Sequence, residues 1–343
     1  MAGQTAMRET RDERRETCDW ISRLSSLVSR LSLVILTACT SSGALERVPI
    51  PPGSTMRATA DSLAAHGLIH SKAMFRVRAR LAHADRTVKA GIYEFSRGVG
   101  TGELLRRLKA GDAIRFRVTL PAGGTIYDLA HSAHESLKIP VDSVLAAAGD
   151  TALLHKFALP GFSAEGWLLP ETFDFGGFDR GADVVARFVS ARRQAWDSTW
   201  DIRAASQQLD PEALLSLASI VEAEAKDPAE RPLIAAVYRN RLKQRMPLQA
   251  DPTIQYAWLL RTGERKGRLF NVDYLMDSPW NTYRHSGLPP GPVGNPSREA
   301  IEAVLEPAKV SYLYFVADAE GKSHFATTYA EHLRNIKRVR GER

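Results

Sequence analysis

The sequence predicts an α+β protein in which a small module over residues 47–118 precedes a mixed α/β domain over residues 119–343. Two observations support this fold class. Stretches with apolar residues at helical spacing are interspersed with short segments in which apolar and polar residues alternate, as they do in strands. The chain of 343 residues is also long enough for two domains. Residues 1–46 are predicted to form an N-terminal anchor and tether.

The small module is predicted to contain two strands and three helices. In chain order these are a strand with its turn, two helices, a second strand and a short helix, at residues 48–54, 55–67, 71–81, 91–95 and 102–110. Ala60 and Leu63 lie on the inward face of the first helix. Ser71 is placed to cap the second helix.

The larger domain is predicted to be mostly helical, with a strand at 114–120 crossing its N-terminal boundary. Helical patterns occur at residues 125–137, 141–159, 183–203, 212–226, 227–242 and 300–305. An apolar strand at 312–316 and a partner at 324–328 are predicted to form a hairpin near the C-terminus.

Glu222 is the candidate catalytic residue. Its helix has Asp210 as a potential N-cap and Pro211 at its first position. Glu222 lies about 100° from the apolar face, at the margin of the core, where partial desolvation should keep a carboxyl group protonated. A protonated carboxyl group of this kind can act as a general acid. The alternative is that Glu222 only forms a structural salt bridge. Glu224 is two residues further on and points about 200° away from Glu222, so we do not expect it to share this task.

Several ordered motifs between Glu165 and His332 resemble those of the endolytic murein transglycosylases, the YceG-like family. They are EGWLLPETF at 165–173, ASIVE at 218–222, YRNRL at 238–242, LQADPTIQY at 248–256, NTY at 281–283, GLPPGP at 287–292 and YLYFVAD at 312–318. The resemblance extends more weakly back to about residue 51. It also covers the small module, whose strand–helix–helix–strand order is that of a LysM-like module. That module either binds glycan or serves only as a spacer.

The resemblance implies a lyase that cleaves the glycan strands of peptidoglycan, with the family's catalytic glutamate at Glu222. A lytic transglycosylase cuts between N-acetylmuramic acid and N-acetylglucosamine and leaves a 1,6-anhydro end, so one carboxyl group can serve. The polar and aromatic loops of the motifs are interpreted as a glycan cleft. Its predicted substrate-binding residues are Gln249, Asp251, Thr253, Tyr256, Asn281, Thr282, Tyr283, Leu288 and Pro289.

Two other functions remain open on the sequence. One is a hydrolytic muramidase with Glu222 as the acid and Asp251 as its second carboxylate. The other is a non-enzymatic envelope protein that binds glycan. No cofactor is predicted, and no metal site either, because His131 and His134 have no third ligand near them.

The N-terminus predicts attachment to a membrane. The segment LTAC at 36–39 resembles a bacterial lipobox, which would place a lipid on Cys39, although a short transmembrane anchor is the alternative. Either anchor would leave the catalytic domain on the extracytoplasmic side. The net charge of +7 suits an acidic cell envelope, and no motif supports nucleic-acid binding. Expected partners are glycan strands, the membrane and cell wall synthesis proteins.

Overall fold

The computed structural model describes residues 44–84 and 87–341 and divides after Ala113 into two compact units. In its described residues the first unit contains two strands and three helices. They are β1 (Leu45–Ile50), α1 (Met56–Ala65), α2 (Lys72–Leu81), β2 (Gly91–Ser96) and α3 (Thr101–Ala110). Strands β1 and β2 pair antiparallel, with Leu45 opposite Ser96.

Side-chain caps begin the first two helices of this unit. The Thr55 hydroxyl accepts the Ala58 backbone N–H at 3.2 Å, and the Ser71 hydroxyl accepts the Met74 N–H at 3.3 Å. The predicted Ser71 cap is therefore confirmed. The core of the unit lies between the helices and the β1–β2 pair and is formed by fully buried side chains that include Val48, Leu63, Tyr93, Phe95 and Leu104.

The second unit is dominated by helices. These are α4 (Ile126–Leu137), α5 (Val141–Ala148), α6 (Thr151–Lys156), α7 (Gly181–Ala195), α8 (Ser198–Ala205), α9 (Pro211–Glu224), α10 (Arg231–Lys243), α11 (Asp251–Thr262), α12 (Arg298–Leu305) and α13 (Tyr329–Val339). Two short 3-10 turns cover Pro228–Glu230 and Asp273–Leu275. The strands are β3 (Phe116–Thr119), β4 (Thr172–Phe175), β5 (Tyr314–Ala317) and β6 (Ser323–Ala326).

The strands of this unit form two separate antiparallel pairs. Strand β3 pairs with β4, and the predicted C-terminal hairpin is formed by β5 and β6. Because β3 belongs to this unit, the predicted boundary at residue 118 lies a few residues inside it. Helices with small, separate sheets make the protein α+β, as the sequence predicts.

Helix α9 lies at the centre of the second unit. It packs against α10, α11 and α12, and residues 214–221 are all buried without interruption. A helix that is buried on all sides has no solvated face. Both flanks of α9 can therefore place side chains in desolvated surroundings.

Three predicted elements differ in the structure. The helix predicted at 183–203 is divided because Trp196 is extended and the Asp197 carboxylate caps α8 through the Thr199 N–H at 2.9 Å. The helix predicted at 141–159 is likewise divided where Asp150 caps α6. The segment after α10, interpreted as a loop, forms helix α11.

Within residues 44–84 and 87–341, no helix combines the length and the hydropathy needed to span a membrane. The predicted anchor and the candidate lipidation residue Cys39 lie outside the described residues.

Candidate active site

Glu222 lies in the last turn of α9 and its carboxylate is occupied by protein donors. Arg231 forms an ion pair with Oε1 at 2.6 Å, and the side chain of Glu222 is only 6% exposed. The backbone N–H of Ser297 donates to Oε2 at 2.9 Å, and the Ser297 hydroxyl donates to the same oxygen. Since Ser297 is the N-cap of α12, Glu222 connects α9 to the starts of α10 and α12. This is the structural salt bridge that the sequence left as the alternative.

Glu224 lies on the opposite flank of α9, where the sequence analysis did not expect a catalytic group. The Tyr238 hydroxyl, from α10, donates to its Oε1 at 3.0 Å. Burial, followed by the nearby Asp251 carboxylate, raises the pKa of Glu224 to about 7 against the opposing effects of Tyr238 and Arg241. A carboxyl group with this pKa carries a proton for about half of the time near neutral pH.

Asp251 begins α11 and faces Glu224. The Tyr283 hydroxyl donates to Asp251 Oδ1 at 2.6 Å, and the Tyr274 hydroxyl approaches Oδ2 at 3.3 Å. The two tyrosine rings contact each other edge to face, with centroids 4.7 Å apart. Burial, with Asp251 as a further cause, raises the pKa of Tyr283 well above its usual range, so this phenol stays a donor. The predicted residues Asp251 and Tyr283 thus lie together, around Glu224.

Gln249 is exposed beside this group and has an unusual backbone. Its φ is +48°, a conformation that residues other than glycine rarely adopt. The Gln249 N–H donates to the Thr282 carbonyl at 3.1 Å, which holds the strained residue in place. Strain of this kind is concentrated at functional sites. The structure therefore retains Gln249 as a candidate contact to a ligand.

Three other predicted contact residues are buried and bond to the protein itself. The hydroxyls of Thr253 and Thr282 lie 2.9 Å apart, and the Thr253 hydroxyl also donates to the Ala250 carbonyl at 2.6 Å. The Asn281 amide donates to the carbonyls of Tyr274 and Met276 at 3.0 and 2.7 Å. Their side chains position the backbone that carries Gln249, Asp251 and Tyr283 rather than facing an open cleft.

Tyr256 belongs to a second buried group, around Glu165. The Tyr256 hydroxyl donates to Glu165 at 3.1 Å, and the Asn295 amide donates to the same carboxyl group at 2.6 Å. The Ile126 N–H, at the start of α4, also contacts both carboxyl oxygens. Burial outweighs these donors and raises the pKa of Glu165 to about 8. In the sequence Glu165 stands out only as part of a motif, because nothing local indicates its burial.

The last two predicted contact residues lie elsewhere. Leu288 lines a surface depression together with Gln207, Arg239 and Lys243, and Pro289 is buried. A smaller cavity of about 170 Å³ lies beside the last turn of α9 and the first turns of α11. Its lining includes Ala223, Pro252, Gln255, Arg265 and Lys266, so it offers polar groups next to the segments that carry Glu224 and Asp251.

Comparison with known proteins identifies the family. Residues 48–338 match the model of the YceG-like family. An endolytic murein transglycosylase from Bacillus subtilis (strain 168) is 30% identical over 300 residues, which cover 83% of this chain and 82% of the relative. A protein of the same description from Streptococcus pneumoniae (strain D39) is 29% identical over 84% of this chain and 57% of its own length.

A solved structure supports the same assignment. The crystal structure of a YceG-like protein from Listeria monocytogenes matches with a TM-score of 0.60 and 28% sequence identity. The match covers 84% of this chain and 98% of the Listeria chain. With a family model that spans most of its length, this chain belongs to the YceG-like family.

Proposed function

We propose that this protein is an endolytic lytic transglycosylase that cleaves the glycan strands of peptidoglycan and acts in cell wall remodelling. The relatives that match most of the chain bear the name endolytic murein transglycosylase. The observation that carries the chemistry is the Glu224 carboxyl group, whose pKa is raised to about 7 beside Asp251. A proton donor that is active near neutral pH is the minimum that this reaction requires.

In the proposed reaction, protonated Glu224 donates its proton to the glycosidic oxygen between N-acetylmuramic acid and N-acetylglucosamine. The bond from C1 of the N-acetylmuramic acid ring to that oxygen breaks, and positive charge develops at this C1. The Glu224 carboxylate then accepts the proton of the C6 hydroxyl of the same ring, while O6 forms a bond to C1. Because the attack is intramolecular, its effective concentration is high and no water is consumed. Glu224 ends the cycle protonated again.

We assign Asp251 to support the acid and not to attack the sugar. Its oxygens are engaged by the hydroxyls of Tyr283 and Tyr274, which hold the negative charge beside Glu224. That charge favours the protonated form of Glu224 in the free enzyme and would stabilise positive charge on the sugar. The exposed Gln249 is the proposed contact to the sugars.

The proposal replaces Glu222 with Glu224 as the acid. The oxygens of Glu222 already accept bonds from Arg231 and Ser297, so neither oxygen is free to meet a glycosidic oxygen. Glu222 is therefore assigned a structural role.

The rate of cleavage should depend on pH through Glu224. Turnover should fall as pH rises above about 7, because the carboxyl group then loses the proton that it must donate. Asp251→Asn removes a like charge, which lowers the pKa of Glu224, so the alkaline limb should move to lower pH. Initial rates on soluble glycan strands are measured across the pH range. They give the pH midpoint of the alkaline fall in rate separately from the maximum rate. An alkaline limb that stays unchanged in Asp251→Asn would contradict the pairing.

The product should end in 1,6-anhydro-N-acetylmuramic acid, which mass spectrometry recognises as one water lighter than a reducing end. Purified, uncrosslinked strands are the substrate, and early time points should contain fragments of many lengths because cleavage is internal. A reducing end on the new terminus would instead identify a hydrolytic muramidase. Early release of disaccharides alone would show that cleavage starts from the strand end. Binding without any new ends would indicate a non-enzymatic glycan-binding protein.

We further propose that the first unit is a LysM-like module and that the chain is tethered to the membrane. The order β1–α1–α2–β2 supports the LysM-like module, and loss of affinity for long strands after deletion of residues 47–113 would test it.

The run of apolar residues that ends at Cys39 supports the membrane tether. Mass spectrometry of the membrane-extracted chain decides between a lipidated Cys39 and an unprocessed segment, and recovery in the soluble fraction would contradict both.

A further inference from the structure

Helix α2 of the first unit exposes a stripe of large apolar side chains. Met74, Val77 and Leu81 follow one another at helical spacing and are 57%, 52% and 76% exposed. Only Phe75 and Ala79 of this helix are buried. A helix held to its unit by one buried face rarely exposes a second row of large apolar side chains to water. Such a row marks a surface that contacts an apolar partner.

Arg78 and Arg80 flank this stripe, one on each side. The helix contains Lys72, Arg76, Arg78 and Arg80 and no acidic residue. Lys72 forms an ion pair with Asp61 at 2.7 Å, and Arg76 lies near enough to Asp61 to lower its pKa slightly. The guanidinium groups of Arg76, Arg78 and Arg80 form no ion pair with any residue in the described part of the chain.

We propose that α2 docks flat on an anionic lipid surface, with Met74, Val77 and Leu81 inserted at the boundary between headgroups and acyl chains. The arginines beside the stripe would contact lipid phosphates. Basic residues beside an apolar stripe are the pattern of interfacial amphipathic helices. The inference adds a second membrane contact to the predicted N-terminal anchor and does not depend on any role assigned to Glu224.

A lipid surface fits this helix better than a soluble polyanion or a protein. A polyanion such as an acidic wall polymer would neutralise the arginines but would leave the three apolar side chains in water. A lipid surface offers a partner to the arginines and to the apolar side chains at once, because its phosphates lie directly above an apolar phase. A helix of ten residues binds such a surface weakly by itself. A tether close by in the chain would raise its effective concentration at the surface, so weak binding would suffice.

The test places a reporter on the stripe of the full-length chain. In a Cys18→Ser, Cys39→Ser background, Val77→Cys carries an environment-sensitive fluorophore, and Lys109→Cys, exposed on α3, carries the same fluorophore as a control. The proteins are mixed with vesicles of phosphatidylcholine, or of phosphatidylcholine with about one third phosphatidylglycerol. We expect a blue shift, and quenching by spin-labelled acyl chains, only at position 77 and only with the anionic vesicles.

Charge and apolar contributions are separated by matched variants. Arg76→Gln, Arg78→Gln and Arg80→Gln together should lower the fraction of docked reporter at least about tenfold. Arg47→Gln, Arg97→Gln and Arg106→Gln remove the same charge from arginines that are ion-paired in this unit, and should change it less than about threefold. Met74→Gln with Leu81→Gln should abolish the blue shift, while circular dichroism confirms that the helix content is kept.

Several results would overturn the proposal. Emission at position 77 that matches the solution value on anionic vesicles would show that α2 does not dock. An equal shift on both vesicle types would remove the role of the arginines. A shift without any lipid would mean that the stripe is covered by the chain itself or by a second copy. A shift with soluble polyglutamate alone would identify a polyanion as the partner.

Discussion

Glu224→Gln should abolish glycan cleavage while leaving the protein folded. Glutamine has nearly the same shape and can still accept the bond from the Tyr238 hydroxyl, but it cannot donate a proton as an acid. The expected loss is at least about 100-fold, which is the low end for a positioned acid–base group. The measurement is the initial rate of formation of 1,6-anhydro ends on purified strands, with the thermal unfolding midpoint recorded for the same samples.

Glu222→Gln is the matched control for this experiment. It lies two residues away on the same helix and loses the same charge. Because Arg231 and Ser297 occupy the Glu222 carboxylate, its replacement should lower stability and leave turnover, measured well below the unfolding midpoint, within about tenfold of the original. An inactive but folded Glu222→Gln protein beside an active Glu224→Gln protein would return the catalytic role to Glu222.

The sequence predicted the helix that carries the candidate site, whereas our proposal of Glu224 rather than Glu222 as the acid depends on the structure. The Asp210 cap is confirmed, since its carboxylate accepts the Ala213 N–H at 2.8 Å, and Pro211 begins α9. Helical position would single out Glu222 only if one face of the helix were buried and the other solvated. In the structure residues 214–221 are all buried, and burial is also the main cause of the raised pKa of Glu224. Helical position alone cannot distinguish two carboxyl groups on such a helix.

The partners of Glu224 come from distant segments, which limits what periodicity can predict. Tyr238, Asp251 and Tyr283 lie in three motifs that were recognised separately. The start of α11 was interpreted as a loop, although Pro252 in its first turn and Gly263 after its end, with φ +77°, are typical helix boundaries. That Thr253 and Thr282 bond to each other, and not to a ligand, is a property of tertiary packing.

Arg231→Met should destabilise the protein by about 3–5 kcal/mol, because it leaves the Glu222 carboxylate buried without its cation. The ion pair is largely shielded from water, with Arg231 13% and Glu222 6% exposed. The backbone N–H and hydroxyl of Ser297 remain, but two neutral donors replace a charge only in part. Glu222 also opposes the effect of burial on the guanidinium of Arg192, whose pKa is lowered to about 10, so the charges of this region depend on one another.

Urea unfolding at neutral pH measures this loss, with Arg265→Met as the control. Arg265 pairs with Asp128 at the same distance of 2.6 Å but is 57% exposed, so its loss should cost less than about 1 kcal/mol. Combining Arg231→Met with Glu222→Gln removes both charges and should cost less than the sum of the single changes. Equal and small losses for Arg231→Met and Arg265→Met would show that solvent supports the Glu222 carboxylate. Such accessibility would reopen the assignment of Glu222 as a purely structural residue, because a solvated carboxylate at the end of α9 could also reach a substrate.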